Sequence, residues 1–178
     1  MTTFSSHSID SLDGEARELL EGVNQAFGFV PELFSYMAEA PVTIKAYLQL
    51  NQLLQETSFS NQQLQVALLA VSLENNCKFC AAAHTFSAKK HSVNVQTLDA
   101  LLAGGDIANQ EEAVLVSTVR AVVKQRGWVD AKVLEDFFNA GFSHKHYLEL
   151  QIVVAIKTLS NYINHQIEPD INPEFLSA

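Results

Sequence analysis

Turn-forming residues are scarce in this sequence, whose 178 residues include only four prolines and seven glycines. An all-β protein needs many turns, so this scarcity argues against that fold class. Apolar residues still make up 48% of the chain, which suits a globular protein and argues against disorder. The length suffices for one domain with a substantial core and is short for two. We therefore predict a single domain over residues 1–178.

Basic residues are also few, since 11 lysines and arginines stand against 20 acidic residues and the net charge is −9. Lys89 and Lys90 form the one basic cluster in the sequence. Non-specific nucleic-acid binding requires that phosphates be neutralised, and an anionic membrane surface attracts basic segments. We therefore predict neither a nucleic-acid partner nor a membrane partner.

The sequence lacks a recognisable targeting signal and any apolar run long enough to cross a bilayer. Residues 1–15 contain neither a basic n-region nor an apolar h-region, and the run Val66–Val71 is far too short to span. We therefore expect a cytoplasmic protein. Ordinary thiols stay reduced in the cytosol, so a close pair of cysteines there suggests catalysis or metal binding more than a structural disulfide.

Apolar residues recur at three- and four-residue spacing almost throughout the chain, which predicts an all-α domain of about eight helices. Residues 1–12 lack this pattern and are predicted to be a loose N-terminus. Ser60 and Gln63 form a capping-box pattern, and Asn76 is a candidate cap after a break. The predicted helices cover residues 13–25, 41–55, 61–74, 77–91, 94–102, 111–125, 130–139 and 143–165, with a further start at Pro31.

The chain has only two cysteines, and both lie in the segment ENNCKFCAAAH, residues 74–84. In a helix, Cys77 and Cys80 are neighbours on one face, and a disulfide between them is plausible if the first turn adapts. If Asn76 caps this helix, both sulfurs lie in its first turn, where the helix dipole favours the reactive thiolate. An oxidised cysteine beside a second thiol resolves to a disulfide.

Two ionisable side chains flank the cysteines at helical spacing. His84 lies four residues after Cys80, and its imidazole titrates near neutrality. It is therefore a candidate to take the thiol proton and return it to a leaving alkoxide. Glu74 lies three residues before Cys77 and borders the same site if the break leaves the two helix faces aligned. In that position its carboxylate would orient or relay protons.

A zinc site is an alternative for the same residues. Cys77, Cys80, His84 and His91 follow the pattern C-x2-C-x3-H-x6-H, and all four are competent zinc ligands. Four tetrahedral ligands are nevertheless hard to supply from one straight helix. We therefore predict no metal. Because no flavin, haem or nucleotide motif occurs either, we predict no cofactor.

The sequence AVSLENNCKFCAAAH, residues 70–84, resembles the core motif of alkylhydroperoxidase AhpD-like proteins of the carboxymuconolactone decarboxylase superfamily. Further resemblance to the peroxidase-related branch extends over residues 25–166. It includes FGFVPELF at 27–34, AYLQLNQLL at 46–54, AGF at 140–142 and KTLSNYINH at 157–165. The resemblance implies an AhpD-like helical fold, thiol-dependent peroxidase activity and assembly as a trimer or hexamer.

The resemblance also implies roles for individual residues. Cys80 would attack the peroxide, Cys77 would resolve the product to a disulfide, and His84 would transfer protons. The family pattern has a glutamate twelve residues before the first cysteine, where this chain has Gln65, which can hydrogen-bond but cannot titrate. As a hypothesis, Glu74 supplies the missing carboxylate, so that Glu74→Gln slows thiol oxidation more than Gln65→Ala.

We thus predict an enzyme that reduces an organic peroxide, with electrons from a thiol or dithiol protein reductant. A redox-sensing or scaffold homo-oligomer with little turnover and a relative with a degraded site are the alternatives. The superfamily's decarboxylases do not depend on a dithiol, so the two cysteines argue against that activity. His165 ends a polar and aromatic stretch, 161–165, which by default is a capping or surface feature; it could also reach a neighbouring subunit's site.

Overall fold

Ten α-helices and one short 3-10 helix form the regular structure of residues 4–176, the part of the chain that the computed structural model describes, and no strand occurs among them. The prediction of an all-α fold is confirmed. Eight of the ten helices have nine residues or more, and α2 and α10 are the short ones. After the 3-10 helix Ile9–Ser11 come α1 Gly14–Phe27, α2 Glu32–Met37, α3 Pro41–Leu54, α4 Asn61–Glu74, α5 Lys78–Lys90, α6 Val95–Ala103, α7 Gln110–Lys124, α8 Ala131–Asn139, α9 His144–Ile167 and α10 Pro173–Leu176.

Local capping signals account for most of these helix boundaries. Ser60 Oγ accepts a hydrogen bond from Gln63 N at 3.1 Å, and Gln63 Oε1 accepts one from Ser60 N at 2.8 Å, which completes the predicted capping box of α4. Ser143 caps α9 through the backbone N–H of His146. Gly104 ends α6 in the left-handed conformation, with φ of 69°.

The break between α4 and α5 differs from the predicted one. Asn76 has a φ of 56°, its N–H bonds to Leu73 O at 2.9 Å, and Cys77 N–H bonds to Ser72 O at 2.9 Å. These two hydrogen bonds form a Schellman motif, so Asn76 ends α4 and does not cap α5. Asparagine suits this place because it tolerates the left-handed region. Cys77 is itself the N-cap of α5.

The helices pack around two hydrophobic clusters. Helix α4 is the centre of the larger cluster, because eight consecutive or nearly consecutive residues from Leu64 to Ser72 are buried. It contacts α5, α7 and α9. The smaller cluster combines residues of α1 and α2 with Cys77, Cys80 and Phe175, and Tyr47 of α3 packs against both clusters. The two cysteines therefore lie inside the fold, in the smaller cluster.

The N-terminal segment is attached over its described part, which corrects the prediction that residues 1–12 are loose. His7 N–H donates to Ser35 O at 3.1 Å, and His7 Nε2 lies 3.1 Å from Glu39 Oε2. These contacts hold the segment to α2, whose C-terminal carbonyls need donors, and to the turn that follows α2. Residues 1–3 lie outside the described part of the chain. Among the described helices, none combines the length and apolarity that a membrane span requires.

Candidate active site

The two cysteines are free thiols, and both are almost completely buried. The pKa of Cys80 lies well below its usual range, chiefly because Cys77 donates a hydrogen bond to its sulfur. Burial acts in the opposite direction, whereas the positive charge of Lys157 and hydrogen bonds from Lys157 and Ser160 lower the Cys80 pKa further. Donation to Cys80, together with burial, raises the pKa of Cys77. The pair therefore favours a thiolate at Cys80 and a thiol at Cys77.

A polar face of α9 lies against these sulfurs. Asn164 Nδ2 is 3.1 Å from Cys80 Sγ and 3.8 Å from Cys77 Sγ, and Ser160 Oγ is 3.8 Å from Cys80 Sγ. Lys157, Ser160, Asn161 and Asn164 are all buried, and their spacing of three, one and three residues places them on one helix face. An N–H or ammonium group in hydrogen-bond contact favours the charged form of a thiol.

Sequence reasoning missed this face of α9 because it treated residues 161–165 as a polar helix end. Asn161 and Asn164 are instead buried, and only His165 of the three is exposed. The signal that could have revealed them is polar residues at helical spacing inside an otherwise apolar helix, including a lysine at its centre. A buried, regularly spaced polar set of this kind needs partners within the fold.

Lys157 links the dithiol to the histidine. Its side chain is 1% exposed, and its Nζ lies 2.9 Å from His84 Nε2. His84 Nδ1 lies 3.4 Å from Gln65 Oε1. The predicted direct pairing of His84 with Cys80 is thus replaced by a chain in which Lys157 contacts both. The structure does bring Cys77, Cys80, His84 and Gln65 to one place.

The pKa of His84 lies well below its usual range, first because the ring is desolvated and second because Lys157 is positively charged. At neutral pH the imidazole is therefore uncharged. The tautomer that satisfies both neighbours has Nε2 accepting from Lys157 and Nδ1–H donating to Gln65 Oε1. Gln65 accepts the hydrogen bond from His84 with its amide oxygen, so this contact does not require a titrating carboxylate.

Glu74 lies outside this group, which corrects the expectation that it borders the thiols. Its Oε1 is 3.3 Å from Lys124 Nζ and its Oε2 is 3.9 Å from Arg120 Nε, both on α7. The spacing rule that placed Glu74 beside Cys77 holds only within one continuous helix. The Schellman motif after Asn75 ends α4, so the faces of α4 and α5 are not aligned there.

The prediction for the two variants is therefore reversed. We expect Gln65→Ala to slow the oxidation of Cys80 by about fivefold, because it removes one hydrogen bond worth about 1 kcal/mol from His84. We expect Glu74→Gln to leave the rate within about twofold, as for a surface ion pair. Quenched-flow measurement of free thiol after mixing with an organic hydroperoxide compares them. A larger effect of Glu74→Gln than of Gln65→Ala would indicate that the Glu74 carboxylate takes part in proton transfer.

The described part of the chain contains no ligand set for the zinc site that was the alternative interpretation. No group of three or more histidine, cysteine or acidic side chains is arranged there to hold a metal ion. His84 Nε2 is directed at Lys157, and a neighbouring ammonium group opposes a bound cation. The four residues of the zinc pattern therefore do not form a set of metal ligands.

Cys80 opens on a cavity of about 370 Å³, which we call the aromatic cavity. Its polar end carries Cys80, His84, Gln65 and Lys157. Burial, and then the charge of Cys80, raise the pKa of Tyr47, so its hydroxyl stays protonated and can donate. The ring side chains in the wall are Phe27, Phe29, Phe34, Tyr47, Phe79, Phe86 and Phe175.

Comparison with known proteins identifies relatives of this architecture. Residues 41–124, from the start of α3 to the end of α7, match the model of the carboxymuconolactone decarboxylase family. No curated protein matches the chain.

Three solved structures share the fold over nearly the whole chain. An uncharacterized peroxidase-related protein from Ralstonia eutropha JMP134, with an alkylhydroperoxidase AhpD core, is 21% identical with a TM-score of 0.81, covering 97% of this chain and 93% of its own. A peroxidase-related protein from Silicibacter sp. TM1040 is 17% identical with a TM-score of 0.82, covering 98% and 94%. A cysteine-to-alanine variant of the debrominase Bmp8, in complex with 2,3,4-tribromopyrrole, is 18% identical with a TM-score of 0.80, covering 99% and 96%.

At these identities the structural likeness establishes the fold, and the family model adds a match in sequence. The matched segment contains α4 and α5, and therefore both cysteines, His84 and Gln65. The chain therefore has an AhpD-like fold, and its residues 41–124 match the carboxymuconolactone decarboxylase family.

Proposed function

We propose that this protein is a thiol-dependent peroxidase whose substrate is an organic hydroperoxide. The observation that carries the proposal is the convergence of Cys77, Lys157 and Asn164 on the sulfur of Cys80, at the polar end of the aromatic cavity. Peroxide reduction needs a thiolate nucleophile, a proton for the departing alkoxide and a second thiol. Each of these groups has a candidate within the site.

In the proposed reaction, the Cys80 thiolate attacks the terminal oxygen of the hydroperoxide. The O–O bond breaks, its electron pair goes to the alkoxide, and the products are a Cys80 sulfenic acid and an alcohol. Lys157 is the candidate donor of the alkoxide proton, because it contacts both Cys80 and His84. In this proposal His84 acts through Lys157, which it holds by accepting a hydrogen bond at Nε2.

The Cys77 thiol then attacks the sulfur of the Cys80 sulfenic acid. A disulfide forms, and the hydroxyl leaves as water with the proton of Cys77. A dithiol reductant returns both cysteines to the reduced state and is itself oxidised to a disulfide. It stays a prediction that this reductant is a thiol or dithiol protein. The homo-oligomeric assembly and the cytoplasmic location also stay predictions.

The walls of the aromatic cavity support an organic substrate. A cavity of about 370 Å³ with ring side chains on several helices suits a small apolar molecule, whereas hydrogen peroxide gains nothing from apolar walls. We expect kcat/KM for cumene hydroperoxide to exceed that for hydrogen peroxide by at least about tenfold, since burial of apolar groups favours binding.

The test is steady-state peroxide consumption by the wild-type protein with dithiothreitol as reductant. Repeated turnover with the stated preference supports the proposal. A single equivalent of oxidation, accompanied by a change in the mass of the assembly, would support the redox-sensor alternative instead. Absence of reaction with either peroxide would refute the peroxidase.

Reductive dehalogenation of an aromatic ring is a second candidate, favoured by the ring-lined cavity next to a dithiol and by the fold shared with the debrominase Bmp8. An aryl bromide and two thiols would give the arene, a disulfide and hydrogen bromide, so the dithiol supplies both electrons. Bromide release from 2,3,4-tribromopyrrole, measured beside peroxide consumption under the same conditions, discriminates the two candidates.

A further inference from the structure

A second cavity of about 950 Å³ reaches the dithiol from a different side. It is lined by Cys77, Lys78, Asn164, His165 and the segment 168–171, and we call it the Cys77 cavity. Cys80 borders the aromatic cavity and not this one, whereas Cys77 borders this one and not the aromatic cavity. The two sulfurs therefore face separate spaces.

A wall of aromatic and apolar side chains separates the two cavities. Among the described residues, Phe79 alone borders both. Its ring meets that of Phe175 edge to face, with 5.7 Å between centroids, so α10 closes the wall. Phe175 borders the aromatic cavity and the next residue, Leu176, borders the Cys77 cavity.

We propose that the oxidant and the reductant reach the dithiol by different routes. The hydroperoxide enters through the aromatic cavity to Cys80, and the attacking thiol of a dithiol reductant enters through the Cys77 cavity to Cys77. This inference rests on the proposed redox chemistry of the two cysteines, and it adds which sulfur the reductant attacks and from where.

The exchange chemistry favours attack at Cys77. The reductant thiolate bonds to Cys77 Sγ, the Cys77–Cys80 bond breaks, and its electron pair goes to Cys80. Asn164 Nδ2 and Lys157 stabilise the departing Cys80 thiolate, and a more stable thiolate leaves faster. The second thiol of the reductant then attacks the mixed disulfide, closes its own disulfide and transfers its proton to Cys77.

The lining of the two cavities matches this division of reactants. The Cys77 cavity is larger and has a mixed polar border that includes Lys78, Glu168 and Asp170. The aromatic cavity is smaller and has seven phenylalanine and tyrosine rings beside its polar side chains. A polar dithiol fits the first, whether it is a small molecule or a protein loop, and an apolar hydroperoxide fits the second.

The first test maps the mixed disulfide on the unaltered protein. Diamide forms the Cys77–Cys80 disulfide without any peroxide, so the test is independent of peroxidase activity. Glutathione is then added, the free thiols are blocked with iodoacetamide, and trypsin cleaves after Lys78 to put the two cysteines in separate peptides. We expect glutathione on Cys77 by mass spectrometry. Glutathione on Cys80 would overturn the proposal.

The second test narrows one cavity at a time with tryptophan. His165→Trp narrows the Cys77 cavity and is expected to slow reduction of the diamide-formed disulfide by at least about tenfold, because exchange depends on access to the sulfur. Its matched control is Gln166→Trp, on an exposed neighbour outside both cavities. Ser87→Trp narrows the aromatic cavity and should leave this reduction unchanged.

Dithiothreitol serves as the small reductant and reduced thioredoxin as the protein reductant. The proposal is supported if His165→Trp slows disulfide reduction by whichever of these two reacts faster with the wild type. Equal slowing by His165→Trp and Ser87→Trp, or by neither, would overturn it. If the wild type reacts with no peroxide but its disulfide is still reduced through Cys77, the peroxidase proposal fails and the reductant route stands.

Discussion

Lys157→Met is expected to slow oxidation of Cys80 by about 100-fold at pH values below the wild-type thiol pKa, because loss of a neighbouring opposite charge raises a pKa by about two units. The direction follows from the charge and the hydrogen bond by which Lys157 lowers the pKa of the Cys80 thiol. Methionine fills the buried space of the lysine stem without its charge. Only the thiolate attacks a peroxide, so a higher pKa reduces the reactive fraction.

The oxidation rates of the wild type and of Lys157→Met should depend differently on pH. In the wild type the reactive thiolate persists when the pH falls below the usual thiol range, since the Cys80 pKa is depressed. In Lys157→Met the rate should fall with decreasing pH earlier and should recover when the pH is raised above the new pKa. Stopped-flow oxidation by cumene hydroperoxide, measured across pH, provides both curves.

Lys124→Met is the matched control, because Lys124 is exposed, pairs with Glu74 and borders neither the aromatic cavity nor the Cys77 cavity. It should leave the pH–rate curve unchanged. A rate that is equally low in Lys157→Met at every pH would indicate that Lys157 acts as a proton donor more than as a source of charge. An unchanged curve in that variant would contradict the assignment of Lys157 to the site.

Cys80→Ser and Cys77→Ser are expected to fail in different ways. Removal of the attacking thiolate in Cys80→Ser should lower peroxide consumption by at least about 1,000-fold, as for other catalytic nucleophiles. Cys77→Ser keeps a hydroxyl that can donate to Cys80, so the first oxidation should proceed while turnover stops. A dimedone adduct on Cys80 would reveal the trapped sulfenic acid.

Cys77→Ala separates the two roles of Cys77. Like Cys77→Ser it cannot form the disulfide, but it also lacks the donor that is the main cause of the low Cys80 pKa. Its first oxidation at neutral pH should therefore be slower than that of Cys77→Ser. The roles of the two cysteines would be reversed if Cys80→Ser formed a sulfenic acid on Cys77 at the wild-type rate.

The helices and the spacing of the dithiol were predictable because they depend on short-range chemistry. Capping by Ser60 and Ser143 and the left-handed glycine at 104 involve neighbours within one turn. The break after Glu74 was foreseen, but the role of Asn76 was not. Asparagine satisfies both an N-cap and a left-handed C-terminal position, and the pattern alone does not choose between them.

The first turns of α5 were therefore predictable from the linear sequence, which placed two sulfurs and an imidazole at helical spacing. The partners of these groups were not, since Lys157 and Asn164 lie 73 and 84 residues away from His84 and Cys80 along the chain. Their contacts depend on how α9 packs against α5, and Glu74 faces α7 for the same reason. Helical periodicity gives the face of one helix, whereas the angle and register between two helices follow from packing of the whole core.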